Sequence, residues 1–186
     1  MKNYWDKTVN FQEYFNIADE RVKNPIEGDE KQEYYNLGVQ RMNRTLKTFK
    51  VEDDLSEAFK AKNFNGKIMI ISEPWCGDAS ATVPALYNFF EACGTDCKIF
   101  LRDQDTSLID QFLTDGTQSI PKVLILNEDF SVKASWGPRP KFGLELLKKF
   151  KENPESYPRE EFYNDLQVYY AKNRGRDAIQ EILELI

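Results

Sequence analysis

Cys76 is the residue best placed for covalent chemistry. It lies in Glu73-Pro74-Trp75-Cys76-Gly77-Asp78-Ala79-Ser80, between a short apolar run and a helical pattern. A helix start offers unpaired N–H groups and a partial positive charge, both of which favour a thiolate. Asp78 opposes a second negative charge beside it, so the expectation is a modest lowering of the thiol pKa. The chemistry would be nucleophilic attack on a disulfide, or oxidation of the thiol to a sulfenic acid. The other cysteines, Cys93 and Cys97, are expected to be buried apolar fillers. Cys93 is 17 residues further along the same helical pattern, about 25 Å by helical rise, and Cys97 begins the next strand at that far end. Disulfide Cα atoms must approach within ~7 Å, so neither can resolve an adduct on Cys76. The chain has no histidine, which excludes imidazole-ligated zinc and Ser-His or Cys-His pairs. No metal or organic cofactor is implied.

These residues need a scaffold. Apolar spacing predicts helices over 9–24 and 29–49, separated by Asn24-Pro25 and Gly28, and a short helix from Asp53 or Asp54 to Lys62. Ile68-Met69-Ile70-Ile71 within 67–72 reads as a strand covered on both faces. A helix is expected over 76–92, a strand over 98–102, a helix over 107–113 and a third buried strand over 123–126. Residues 131–136 alternate like a half-exposed edge strand, with Asn127-Glu128-Asp129 as the hairpin turn. Helices over 142–150, 159–172 and 176–185 follow. The predicted topology has two crossovers giving three parallel strands, plus one antiparallel strand from the hairpin.

The sequence resembles the thioredoxin superfamily at several spaced positions. Trp75-Cys76-Gly77 matches the start of its Trp-Cys-Gly-Pro-Cys site, and Pro84 matches the proline of the active-site helix. Ile120-Pro121 matches the cis-proline that abuts the sulfur, and Gly137 a glycine beside the site. Within the superfamily the chain looks most like a bacterial branch, through Glu-x-Trp-Cys-Gly-Asp, Leu101-Arg102-Asp103, Ser119-Ile120-Pro121 and Trp136-Gly137-Pro138-Arg139-Pro140. The resemblance implies an α/β, thioredoxin-like fold, a central mixed sheet of about four strands flanked by helices. It implies one domain over 1–186, made of an N-terminal helical extension (1–63), the core (64–150) and C-terminal helices (151–186). It places Trp75, Gly77, Asp78, Ile120, Pro121 and Arg139 around a substrate at Cys76. There Arg139 would stabilise the thiolate, grip an acidic thiol, or form a salt bridge to Asp78 or Asp103. Arg102 is expected on the same rim as an ion-pair partner.

The departures are as informative. Ala79 stands where the family carries its resolving cysteine, Asp78 replaces the preceding proline, and Ile70 stands where a buried aspartate often assists proton transfer. Without a second thiol the dithiol cycle cannot close. The expected function is a monothiol thiol–disulfide oxidoreductase in redox homeostasis, partnered by a protein disulfide or a low-molecular-weight thiol. The rivals are a redox-inactive binding or adaptor module and a peroxide-sensing thiol protein. The net charge of −6, with both signs interspersed, argues against nucleic acid or an anionic membrane as partner. The beginning of the chain lacks a signal-peptide pattern, and the apolar runs are too short to span a bilayer. A cytoplasmic location is therefore expected.

Overall fold

A computed structural model describes all residues 1–186. The chain runs α1 (Lys2–Trp5), α2 (Phe11–Lys23), α3 (Gln32–Thr48), α4 (Asp53–Ala61), β1 (Lys67–Ser72), α5 (Gly77–Ala92) and β2 (Cys97–Leu101). It continues through β3 (Lys122–Leu126), β4 (Val132–Trp136), α6 (Lys141–Glu152), α7 (Arg159–Asn173) and α8 (Arg176–Leu185). This is a thioredoxin-like α/β fold with a four-stranded mixed sheet and helices at both ends. No helix is long and apolar enough to cross a membrane.

The sheet order is β2-β1-β3-β4, with β1 parallel to β2 but antiparallel to β3. This corrects the expected three parallel strands. A parallel return needs a crossover long enough to run back the length of the sheet, usually a helix. Residues 102–121 instead form two 3₁₀ turns, Arg102–Gln104 and Ile109–Gln111, and a Thr114–Thr117 bridge. The helix expected over 107–113 is therefore absent. The connection stays at one end of the sheet, and the chain re-enters it running the other way. Arg102 accordingly belongs to a turn, one residue beyond the end of β2.

Strand alternation splits the core into two layers. Ile68, Ile70, Ile99, Val123 and Ile125 face a layer built with Tyr14, Met42, Val83, Leu86 and Phe89. Met69, Ile71, Phe100, Leu124 and Leu126 face Trp5, Leu108 and Ile109. Beyond the sheet, α7 brings Phe162, Leu166 and Tyr170 against Ala81 of α5. An Asn10–Glu13 capping box fixes the start of α2. Before it, Val9 exchanges backbone hydrogen bonds of 2.8 and 2.9 Å with Ile99 along the outer edge of β2.

Gly38 sets how closely α3 approaches the loop before Cys76. A Cβ at position 38 would lie 2.7 Å from the Pro74 carbonyl oxygen. Only a residue without one lets the helix backbone sit there. One turn on, Arg41 reaches the N-terminus of α5. The N-terminal extension thus forms a wall of the thiol site.

Candidate functional site

Cys76 is the N-cap of α5, with extended backbone at φ −73 and ψ 124. Its Sγ–H donates to the Ile120 carbonyl at 3.4 Å, and the Ile120–Pro121 peptide is cis. The Gly137–Pro138 peptide is cis as well, which nothing in the local sequence marks. Gly137, at φ +112, passes so close to the Pro121 carbonyl that a side chain there would collide with it. Gly137 thereby lies against the Pro121 carbonyl, one residue on from the Ile120 carbonyl that the sulfur meets; Pro121 itself is buried. Cys76, Gly77, Asp78, Ile120, Pro138 and Arg139 all line one cleft of about 640 Å³. Ala79 is buried behind them.

The thiol is half-buried, and its pKa is pushed up to about 11. Burial is the largest cause and the Asp78 carboxylate the next. The Ala79 and Asp78 N–H groups and the Arg139 guanidinium pull downward without prevailing. This overturns the expected modest lowering. The helix start does favour the thiolate, but the walls raised by the helical extensions remove the solvent that would stabilise a free charge.

Asp78 is 8% exposed. Its carboxylate pairs with Arg139 at 2.5 Å and accepts from the Tyr170 hydroxyl at 2.8 Å. Burial raises the Asp78 pKa against the opposing pull of Arg139 and Tyr170. Burial works against the Arg139 charge, yet the Asp78 carboxylate prevails and holds its pKa above the ordinary value. The salt bridge weighed from the sequence is therefore present, and it is Asp78 that Arg139 holds. Tyr170 lies 92 residues from Asp78 in the chain. No local pattern ties it to the site, because α7 must first dock on α5.

Trp75 stands on the rim. Its indole N–H donates to Asp103 at 3.2 Å, with the Lys31 ammonium 4.2 Å and the Arg102 guanidinium 5.2 Å from the ring centroid. Arg102 pairs with Asp103 at 2.7 Å and also donates to the Gln118 carbonyl, as its ion-pair reading anticipated. Behind the loop, the Glu73 carboxylate accepts the Asp103 N–H at 2.7 Å, and Tyr14 and Ser72 share a buried 2.8 Å bond. Burial raises the Glu73 and Tyr14 pKa values.

All three cysteines are free. Cys97 is buried, as expected of an apolar filler, whereas Cys93, the C-cap of α5, is only half-buried. No group of three or more His, Cys, Asp or Glu side chains is arranged to hold a metal ion.

A family model described as Thioredoxin matches residues 26–151. A 1.5 Å crystal structure of a protein of unknown function from Pseudomonas aeruginosa superposes with a TM-score of 0.58 at 17% identity, covering 95% of this chain and 96% of that one. An HIV epitope-scaffold crystal structure gives a TM-score of 0.59 at 16% identity, covering 95% and 97%. At these identities both are similar in fold. No curated protein sequence matches the chain.

Proposed function

Because this chain belongs to the thioredoxin family, we propose that it is a monothiol thiol–disulfide exchange protein whose nucleophile, Cys76, rests as a protonated thiol. The observation that supports this most is the half-buried sulfur on the cleft lining at the start of α5, bonded at 3.4 Å to the carbonyl of Ile120 beside a cis proline, with no second cysteine on that lining. A partner's extended segment would lie along Ile120 and Pro121, with Trp75 and Gly77 at its side. The thiol proton passes to solvent, and the Arg139 guanidinium, which already pulls the thiol pKa downward, faces the thiolate that forms. The thiolate then bonds to one sulfur of a disulfide while the other leaves with the electron pair and takes up a proton. A second thiol from solution completes the cycle.

Mixed-disulfide capture from lysate tests this, comparing the native chain with Cys76→Ser. With Ala79 at the resolving position, adducts should accumulate on Cys76. Recovery of none from the native chain would remove the exchange reading. A second reading, an adaptor that keeps the groove and performs no redox chemistry, is favoured by the thiol pKa of about 11. Alkylation of Cys76 no faster than an exposed free thiol, together with no captured adduct, would select it.

A further inference from the structure

The cleft around Cys76 carries an unusual excess of one charge. Its lining includes the guanidinium groups of Arg41, Arg102, Arg139 and Arg159, and a single carboxylate, Asp78. Arg139 is paired with Asp78, and Arg102 with Asp103. Neither Arg41 nor Arg159 has a carboxylate within the 4.0 Å ion-pair distance. Arg41 is partly buried, and burial together with neighbouring Arg44 lowers its pKa against the pull of Asp78. Arg159 lies over the Tyr163 ring, 5.4 Å from its centroid. A half-buried guanidinium with no carboxylate at ion-pair distance, as at Arg41, is costly to keep, and a bound anion would offset that cost.

The cleft also leaves hydrogen-bonding capacity unused. Arg139 Nε and Gln167 Oε1 are both buried with no partner, and both residues line the same cleft. Buried polar atoms are normally satisfied. An acceptor oxygen would satisfy the first, and an amide N–H the second. The walls explain the size of the occupant. Tyr34, Leu37 and Arg41 come from α3, while Arg159, Tyr163 and Gln167 come from α7. The two helical extensions thus stand on either side of the sulfur and narrow what would otherwise be an exposed rim. A volume of about 640 Å³ is that of a small-molecule site.

Building on the exchange reading above, we infer that this cleft binds a low-molecular-weight thiol or its disulfide carrying carboxylates and an amide, with its sulfur at Cys76 and its carboxylates at Arg41 and Arg159. In the exchange step the Cys76 sulfur attacks a disulfide that joins this acidic thiol to a second, different thiol; it bonds to the acidic thiol's sulfur and is oxidised to the mixed disulfide. The second thiol departs with the electron pair of the broken S–S bond and takes up a proton. A further molecule of the acidic thiol attacks the adduct, forms the symmetrical small disulfide and returns Cys76 with its proton.

A non-reactive probe separates the cleft from the chemistry. S-methylglutathione has the carboxylates and amides but no free thiol, and calorimetric titration at low salt should show it binding the full chain. Arg41→Ala and Arg159→Ala should each weaken binding about fivefold to tenfold, as expected for loss of one charge-assisted contact in a partly solvated site. Should either variant fold poorly, the native chain carries the test alone, because capping the probe's carboxylates as esters should weaken binding by about tenfold or more. No binding by the native chain, or binding unchanged by both the substitutions and the esters, would overturn the inference. Labelling of Cys76 by neutral 4,4′-dithiodipyridine, run in parallel, reports on exchange independently. Labelling without S-methylglutathione binding leaves the exchange reading standing and removes the acidic ligand. Arginine-dependent binding without labelling does the reverse.

Discussion

Replacing Asp78 with Asn probes the electrostatic balance at the thiol directly. After burial, the Asp78 carboxylate is the largest influence holding the Cys76 pKa at about 11. A neighbouring charge typically moves a pKa by about 1–3 units, and ~2 units correspond to roughly 3 kcal/mol. In Asp78→Asn the side-chain amide oxygen can still accept from Tyr170, and Arg139, released from its 2.5 Å pair, becomes free to face the sulfur. Burial is unchanged, so the midpoint should fall to roughly 9. Iodoacetamide alkylation followed from pH 6 to 11 reads it. At pH 7.5 the thiolate fraction rises by about a hundredfold, and the lower nucleophilicity of a less basic thiolate trims the rate gain to about tenfold. The substitution also strands a buried guanidinium, which costs about 3–5 kcal/mol. Near-UV circular dichroism must therefore show a native spectrum. A midpoint at or above that of the unaltered protein in a folded variant would refute the assignment of Asp78 as the charge that most opposes the thiolate.

Three further outcomes follow from the same geometry. The Cys76 pKa is raised on folding, so the native state holds the proton more tightly than the unfolded chain does. That contribution is constant below about pH 9 and is lost as pH rises towards about 11. Urea denaturation should therefore show the native protein losing at most about 3 kcal/mol relative to Cys76→Ala between pH 8.5 and 11. Tyr170→Phe keeps the ring but removes the 2.8 Å bond to a buried carboxylate, and should cost about 1.5–3 kcal/mol in the same assay at neutral pH. Gly38→Ala puts a Cβ 2.7 Å from the Pro74 oxygen. Thermal unfolding should show a loss of about 1–3 kcal/mol, and α3 must retreat from the thiol loop.

The buried strands were legible because apolar runs such as 68–71 and 123–126 have one plausible destination. The sulfur, its helix and its proline neighbours were legible for a different reason, since their spacing is fixed by strand and helix lengths. Residues 102–121 misled because Leu108, Ile109 and Phe112 imitate helical spacing while supplying just enough apolar surface to cover Ile71 and Leu124 from irregular turns. The direction of the thiol's shift was illegible for want of tertiary information. The helix start acts locally, but the desolvation that overrides it comes from walls far away in sequence. Arg41, Arg159 and Tyr170 share that difficulty, because nothing near them in the chain marks them as neighbours of Cys76.

The bridge between Val9 and Ile99 bears on how other molecules meet this protein. A sheet's outermost strand offers a row of unused amide and carbonyl groups on which a stray extended chain can zip. Here the chain's own beginning occupies part of that row along β2, and the opposite rim, β4, is five residues long and carries the solvent-facing lysine Lys133. Strand addition is thus discouraged at both flanks, which leaves the sulfur end as the natural point of encounter.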